Sequence, residues 1–261
     1  MSSTPPGGTI TIAGKTVARL GFGTMRLTGQ GTWGDPDDRH QAIRVLRHAV
    51  HTHGITHIDT ADAYGPHTCE HLIRDALYPY PDDVLIATKV GMVRPAPNMW
   101  APHGYPVYLQ ASIEASLRRL DTDRLDLCYL HRIDPEVPLA DQLGTLQALQ
   151  DEGKIGHIGL SKVTPESIRL AGKYISIAAV QNVLNLNDRY DPALELCRDD
   201  RIAQMRRITA VHLRYWQVPE SLRPEVILVV SELVTNSVVH GRGQVGLRIS
   251  SLLQISEEFG A

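Results

Sequence analysis

Four polar residues fall at or just past the ends of segments that read as strands: Asp59, Tyr64, Lys89 and His131. Together these types can move a proton. A free tyrosine has a pKa of about 10, so it exchanges its proton slowly at neutral pH. A neighbouring lysine cation favours the phenolate and lowers that value. An aspartate beside the lysine holds the ammonium in place, and a histidine can orient a carbonyl oxygen as a hydrogen-bond donor. The set reads as an acid–base site that delivers a proton to a carbonyl oxygen.

Positioning such a site takes a repeating framework, and the pattern from Thr9 to about Asp188 supplies one. Thr9–Ile12 and Thr16–Arg19 flank Ala13-Gly14 as a small hairpin. Strands are expected at Leu20–Met25, Thr56–Ala61, Val84–Val90, Leu125–Leu130, Ile155–Leu160 and Ala178–Val183. Helices lie between them. One runs from Asp37 to His53, with Ala42, Val45, Leu46, Ala49 and Val50 on one face, and Gly54 ends it. The next runs from Thr68, the expected N-cap, to Tyr78. Further helical faces carry Ile113, Leu117 and Leu120, then Leu139, Leu143 and Leu146, and Pro165 opens a short one. Gly91 to about Pro106 is a long, proline-rich loop. Six strand–helix units after a hairpin predict an α/β fold, an incomplete (β/α)8 TIM-type barrel of about six units, with its chemistry at the C-terminal ends of the strands. No G-x-G-x-x-G opens a helix after the first strand, which argues against a doubly wound dinucleotide fold. Trp33 and Trp100 fall on loops at the active face, as expected substrate-pocket walls, with loop anchoring as the alternative.

Several ordered segments resemble the aldo-keto reductase family over roughly residues 9 to 200: Gly21-Phe22-Gly23-Thr24-Met25, His57-Ile58-Asp59-Thr60-Ala61-Asp62-Ala63-Tyr64-Gly65, Ala87-Thr88-Lys89, Tyr129-Leu130-His131, and Gly153 to Ser161. The resemblance implies NADPH-dependent reduction of an aldehyde or ketone, a small carbonyl substrate. It implies Tyr64 as general acid/base, supported by Lys89 and Asp59, with His131 aiding orientation. It also implies that Ser161 and Gln181 hold the nicotinamide carboxamide and that Gly23, Thr24 and Met25 line the cofactor, beside Asp59. Lys162 stands where the family usually has asparagine, and no counterpart to the family's last two strands follows.

The pattern changes after about Asp199. Arg201–Gln217 and Val226–His240 read as helices, and Gln244–Ile249 alternates enough for a strand, giving a mostly helical C-terminal extension. The stretch from Val230 to Gly241 resembles the N-box of histidine-kinase-like ATPases, in the anti-sigma-factor kinase branch. That resemblance implies Asn236, with Glu232 four residues earlier on the same helix face, as the one candidate for a metal, Mg²⁺. No aspartate follows Asp200, so the family's adenine-reading residue has no counterpart. Two domains are therefore expected, 1–200 and 201–261. The alternative to a working reductase is an inactive chimeric remnant, or a regulatory protein that holds a protein partner through the C-terminal helices.

Composition narrows the classes. The chain has 261 residues and a formal net charge of -3 with no block of like charge, so neither nucleic acid nor an anionic membrane is expected as a partner. Met1 to Gly8 has no apolar core of a signal segment, and no run of about 18 apolar residues occurs. Cys69, Cys128 and Cys197 are sparse and unpaired in pattern, as expected of reduced thiols in a cytoplasmic protein. Cys128, inside a strand, is expected to be inert. His48, His51 and His53 are expected to be solvated at a helix end.

Overall fold

The computed structural model describes residues 7–183. Strands β1 (Thr9–Ile12) and β2 (Lys15–Ala18) form the antiparallel hairpin, with Ala13 and Gly14 both at positive φ in the two-residue turn. Then come β3 (Phe22–Gly23), α1 (Arg39–His51), β4 (His57–Asp59), α2 (Thr68–Leu77) and β5 (Leu85–Val90). Two short strands follow, β6 (Met92–Val93) and β7 (Ala101–Pro102), then α3 (Pro106–Leu120), β8 (Leu125–Leu130), α4 (Leu139–Asp151), β9 (Ile155–Ser161), α5 (Pro165–Ala171) and β10 (Ile177–Gln181).

Six strands form one all-parallel sheet in the order β10-β9-β8-β5-β4-β3. The sheet is strongly curled. Gln181 on β10 donates to Asp59 on β4 at 2.8 Å, although four strand spacings, about 19 Å in a flat sheet, separate the two strands. This is the curvature of a partial α/β barrel.

The central strands β5 and β8 are buried on both faces, and the two read as mostly apolar runs. Alternate residues nonetheless serve different layers. Ile86, Val90, Cys128, Leu130, Ile158 and Leu160 join a cluster with Leu46, Leu72, Leu109, Ile113 and Leu143 of the helices. Leu85, Ala87, Leu127 and Tyr129 form a second cluster with Val17 of the hairpin. Lys15 reinforces that seat by donating to Val84 O at 3.0 Å and Asp126 Oδ2 at 2.8 Å, at the N-terminal ends of β5 and β8. The strand period of two then places Asp59, Lys89, His131, Ser161 and Gln181 on the concave side, at the opposite end from the hairpin.

Some expectations are corrected here. The first barrel strand is only two residues long, because Met25–Leu27 turns into a 3-10 helix immediately after it. Thr68 does not cap α2. His67 occupies the cap in the left-handed region, and the Thr68 hydroxyl instead donates to Gly65 O at 3.2 Å. The loop from Gly91 contains the antiparallel pair β6 and β7. β10 begins one residue earlier than expected and ends at Gln181. His48, His51 and His53 are exposed, and Cys128 is buried. The expected elements Arg201–Gln217, Val226–His240 and Gln244–Ile249, with Cys197, Glu232 and Asn236, lie outside the described residues. No helix among the described residues is long and apolar enough to cross a membrane.

Candidate active site

Lys89, only 1% exposed, is the hub. Its Nζ donates to Asp59 Oδ1 at 2.7 Å, Asp59 Oδ2 at 2.8 Å, Thr60 O at 2.8 Å and the Tyr64 hydroxyl at 3.2 Å. Register explains the meeting. Asp59 pairs with Ala87 and Lys89 with Tyr129, so the lysine extends one pleat beyond the aspartate toward the C-terminal mouth. His131 follows β8 on the same side, and its backbone N–H donates to Val90 O at 2.8 Å. The His131 and Tyr64 rings meet edge to face with centroids 5.8 Å apart.

Tyr64 is held by a tight loop. Its N–H donates to Ala61 O, and Gly65 follows at φ 94. A side chain on Gly65 would place Cβ 2.4 Å from Thr68 Cβ, so this turn requires glycine on both backbone and steric grounds. The four predicted catalytic residues are thus brought together.

The electrostatics correct one expectation. Lys89 does pull the Tyr64 pKa down, but burial outweighs it and the phenol sits above its ordinary value of 10.0. Tyr64 therefore carries its proton at neutral pH. Burial, helped by the cations Lys89, Arg132, Lys162 and Arg94, pushes His131 down to about 2, so its ring is neutral. Nδ1 of that ring is buried without a hydrogen-bond partner among the described residues. The Nε2–H tautomer is the cheaper one, because it leaves a bare acceptor sealed inside rather than an unpaired donor. Nε2–H is then the group available to a ligand.

The residues expected to line a cofactor surround this centre. Gly23 pairs with Asp59, and nothing lies within 4 Å of where its Cβ would be. Thr24 is fully buried and donates through Oγ1 to Asp59 O at 3.0 Å. Met25 packs against Ala61, Tyr64 and Cys69. Ser161 and Gln181 are neighbours in register at the ends of β9 and β10. Ser161 Oγ accepts from Arg132 Nη1 at 3.3 Å, and Gln181 spends one amide donor on Asp59. The hydroxyl of Ser161 and the amide oxygen of Gln181 remain for a carboxamide. This donor and acceptor pair fits a nicotinamide amide.

Two aromatic residues stand at the mouth. Trp100, 38% exposed, meets Tyr64 and His131 edge to face with centroids 6.3 and 6.2 Å away. Trp33 joins Gly65 through a β-bridge. Sequence reasoning missed Arg94, whose guanidinium lies 3.6 Å from the Trp100 ring and 5.7 Å from that of Trp33. It also missed the support behind the centre. Glu70, fully buried, accepts from Arg119 Nε and from Thr88 Oγ1, each at 2.6 Å. A buried Asp62 beside it is pushed well above the ordinary carboxylate range by burial and by Glu70. The sequence signal was a glutamate at an apolar-facing position of α2. No group of His, Cys, Asp and Glu among the described residues is arranged to hold a metal ion.

The family model of the aldo/keto reductase family matches residues 19–212. That match extends past the expected junction near residue 200. An uncharacterized oxidoreductase of Schizosaccharomyces pombe is 45% identical over 197 residues, covering 75% of this chain and 64% of the relative. Pyridoxine 4-dehydrogenase of Escherichia coli is 43% identical over 192 residues, covering 71% of this chain and 67% of the enzyme. The chain thus spans about two thirds of the length of these relatives. Among solved structures, the glycerol dehydrogenase of Gluconobacter oxydans superposes with a TM-score of 0.64 at 31% identity, over 75% of this chain and 61% of that one.

Proposed function

The chain belongs to the aldo/keto reductase family, and we propose that it reduces an aldehyde or ketone to the alcohol with NADPH, Tyr64 delivering the proton. The observation that carries this reading is the Asp59–Lys89–Tyr64 chain of hydrogen bonds beside a neutral His131. The dehydrogenase and oxidoreductase names of the relatives agree with a redox reaction.

When bound, NADPH supplies the hydride that the protein lacks. Ser161 and Gln181 hold its carboxamide, with Gly23, Thr24, Met25 and Asp59 along its side. Every other step belongs to the protein. His131 Nε2–H donates to the carbonyl oxygen and orients it. The Tyr64 hydroxyl transfers its proton to that oxygen as the carbonyl carbon gains the hydride, and the C=O π bond becomes C–H and O–H. The Lys89 ammonium, 3.2 Å from the Tyr64 oxygen, stabilises the phenolate left behind, and Asp59 fixes the ammonium. The phenolate then recovers a proton from solvent. A raised Tyr64 pKa suits reduction, since the donor starts protonated at neutral pH.

Trp33 and Trp100 wall the substrate pocket in this reading. Titration of the full chain with NADPH, followed by quenching of tryptophan fluorescence, tests it. Saturable binding is expected. No binding up to millimolar NADPH overturns the reading and leaves the protein-partner alternative, which rests on the sequence of residues 207–248, with Glu232 and Asn236.

A further inference from the structure

Arg94 lies outside the Asp59–Lys89–Tyr64 chain of hydrogen bonds, yet its guanidinium makes four hydrogen bonds of its own. Its Nε donates to Met99 O at 2.8 Å. Nη1 donates to Thr32 O and Ala63 O, each at 2.9 Å, and Nη2 donates to Gly31 O at 2.9 Å. The four carbonyls come from three separate segments: the loop after β3, the turn that carries Tyr64, and the loop between β6 and β7. The same guanidinium stacks at 3.6 Å on Trp100 and lies 5.7 Å from the Trp33 ring. It is 9% exposed, and no carboxylate pairs with it among the described residues.

An arginine without a carboxylate partner is costly to bury. Here the cost is met by carbonyl dipoles and two ring faces, and every contact lies on a loop rather than on the sheet or helices. The arrangement does little for the core. Its consequence is geometric: Trp100, on which the guanidinium stacks, meets the rings of both Tyr64 and His131.

We propose that Arg94 is the positioning residue of the substrate wall, a fork that locks three loops together and sets Trp100 edge-on to Tyr64 and His131. This rests on the reductase reading for its effect on turnover, but not for its effect on Trp100. The planar fork is essential, because lysine offers a point charge with three donors and cannot span four carbonyls in three segments.

The experiment compares Arg94→Met and Arg94→Lys with the native chain, using benzaldehyde and propanal as substrates. NADPH titration and thermal unfolding serve as controls. A wall displaced by a fraction of an ångström to 1 Å should raise KM for benzaldehyde about tenfold in both variants. Propanal, which reaches the wall less, should change less. NADPH affinity and the kcat for propanal should stay near native values. A loss shared equally by both substrates and by NADPH binding, or full rescue by Arg94→Lys, would overturn the proposal. The second arm needs no activity. In a Trp33→Phe/Trp216→Phe background Trp100 is the one tryptophan left, and excitation at the red edge of its absorption reads it alone. Arg94→Met should then shift its emission to the red and increase quenching by acrylamide. An unchanged emission and unchanged quenching would overturn the proposal even in a chain that reduces nothing. A native chain that binds no NADPH and reduces neither these aldehydes nor a panel of ketones, while Trp100 responds as expected, would refute the reductase reading alone.

Discussion

Replacing Lys89 with methionine isolates the charge at the centre of the site. Methionine keeps most of the buried stem, so no large cavity opens. The substitution strips Asp59 of both its ammonium contacts, at 2.7 and 2.8 Å, and leaves Thr60 O without its 2.8 Å donor. Removing one partner of a buried pair costs about 3–5 kcal/mol, chiefly through the charge left behind. Asp59 is 19% exposed at its side chain and keeps the Gln181 amide at 2.8 Å, which places the cost near the lower bound, about 3 kcal/mol. That is about a hundredfold in the folding equilibrium. Urea unfolding of native, Lys89→Met, Asp59→Asn and the double variant measures it. The double variant should be more stable than the sum of the single losses by at least about 1 kcal/mol, because it leaves no orphaned charge. Additive losses, or a Lys89→Met variant within about 0.5 kcal/mol of native, would refute the assignment of Lys89 as the buried partner of Asp59.

Two further predictions concern the frame of the site. His131 has a folded-state pKa of about 2 against 6.5 in the open chain, so its contribution is fully present above pH 6.5 and is lost as pH falls toward 2. Replacing it with leucine should flatten the fall in stability between pH 6.5 and 4 by up to about 1.4 kcal/mol per pH unit, about one proton less taken up on unfolding; an unchanged slope in urea titrations at several pH values would count against it. Gly159→Ala would set a methyl carbon 2.5 Å from the Tyr129 ring and 3.1 Å from Ala179 O, and overpacking of this kind should cost about 1–3 kcal/mol by thermal or urea unfolding; a neutral substitution would contradict the packing of β9 against β8.

How much of this the sequence disclosed depends on what each feature is made of. Leu125–Leu130 coincides with β8 because a mostly apolar run of six residues between turn signals is too short for a helix and reads as a buried strand. The meeting of Asp59, Lys89 and His131 was also legible, since each follows a strand by a countable number of pleats. The short β3 was not, because the turn after Gly23 depends on hydrogen bonds of Thr24 to Asp59 O, a contact across 35 residues. The N-terminus of α2 was misread because Thr68 has the right type for a cap while His67 takes the cap conformation. The direction of the Tyr64 shift was hidden for a different reason: the lysine is visible in the sequence, but the burial that outweighs it is not. Arg94 was silent because its partners are backbone carbonyls, which every residue carries.

The most direct test of the central claim is the consumption of NADPH by the full chain in the presence of a panel of aldehydes and ketones, with the Tyr64→Phe variant measured beside it. The account predicts turnover by the native chain, and a fall of about 10²–10⁴ in the variant with NADPH affinity unchanged. Turnover that survives the loss of the Tyr64 hydroxyl would contradict it.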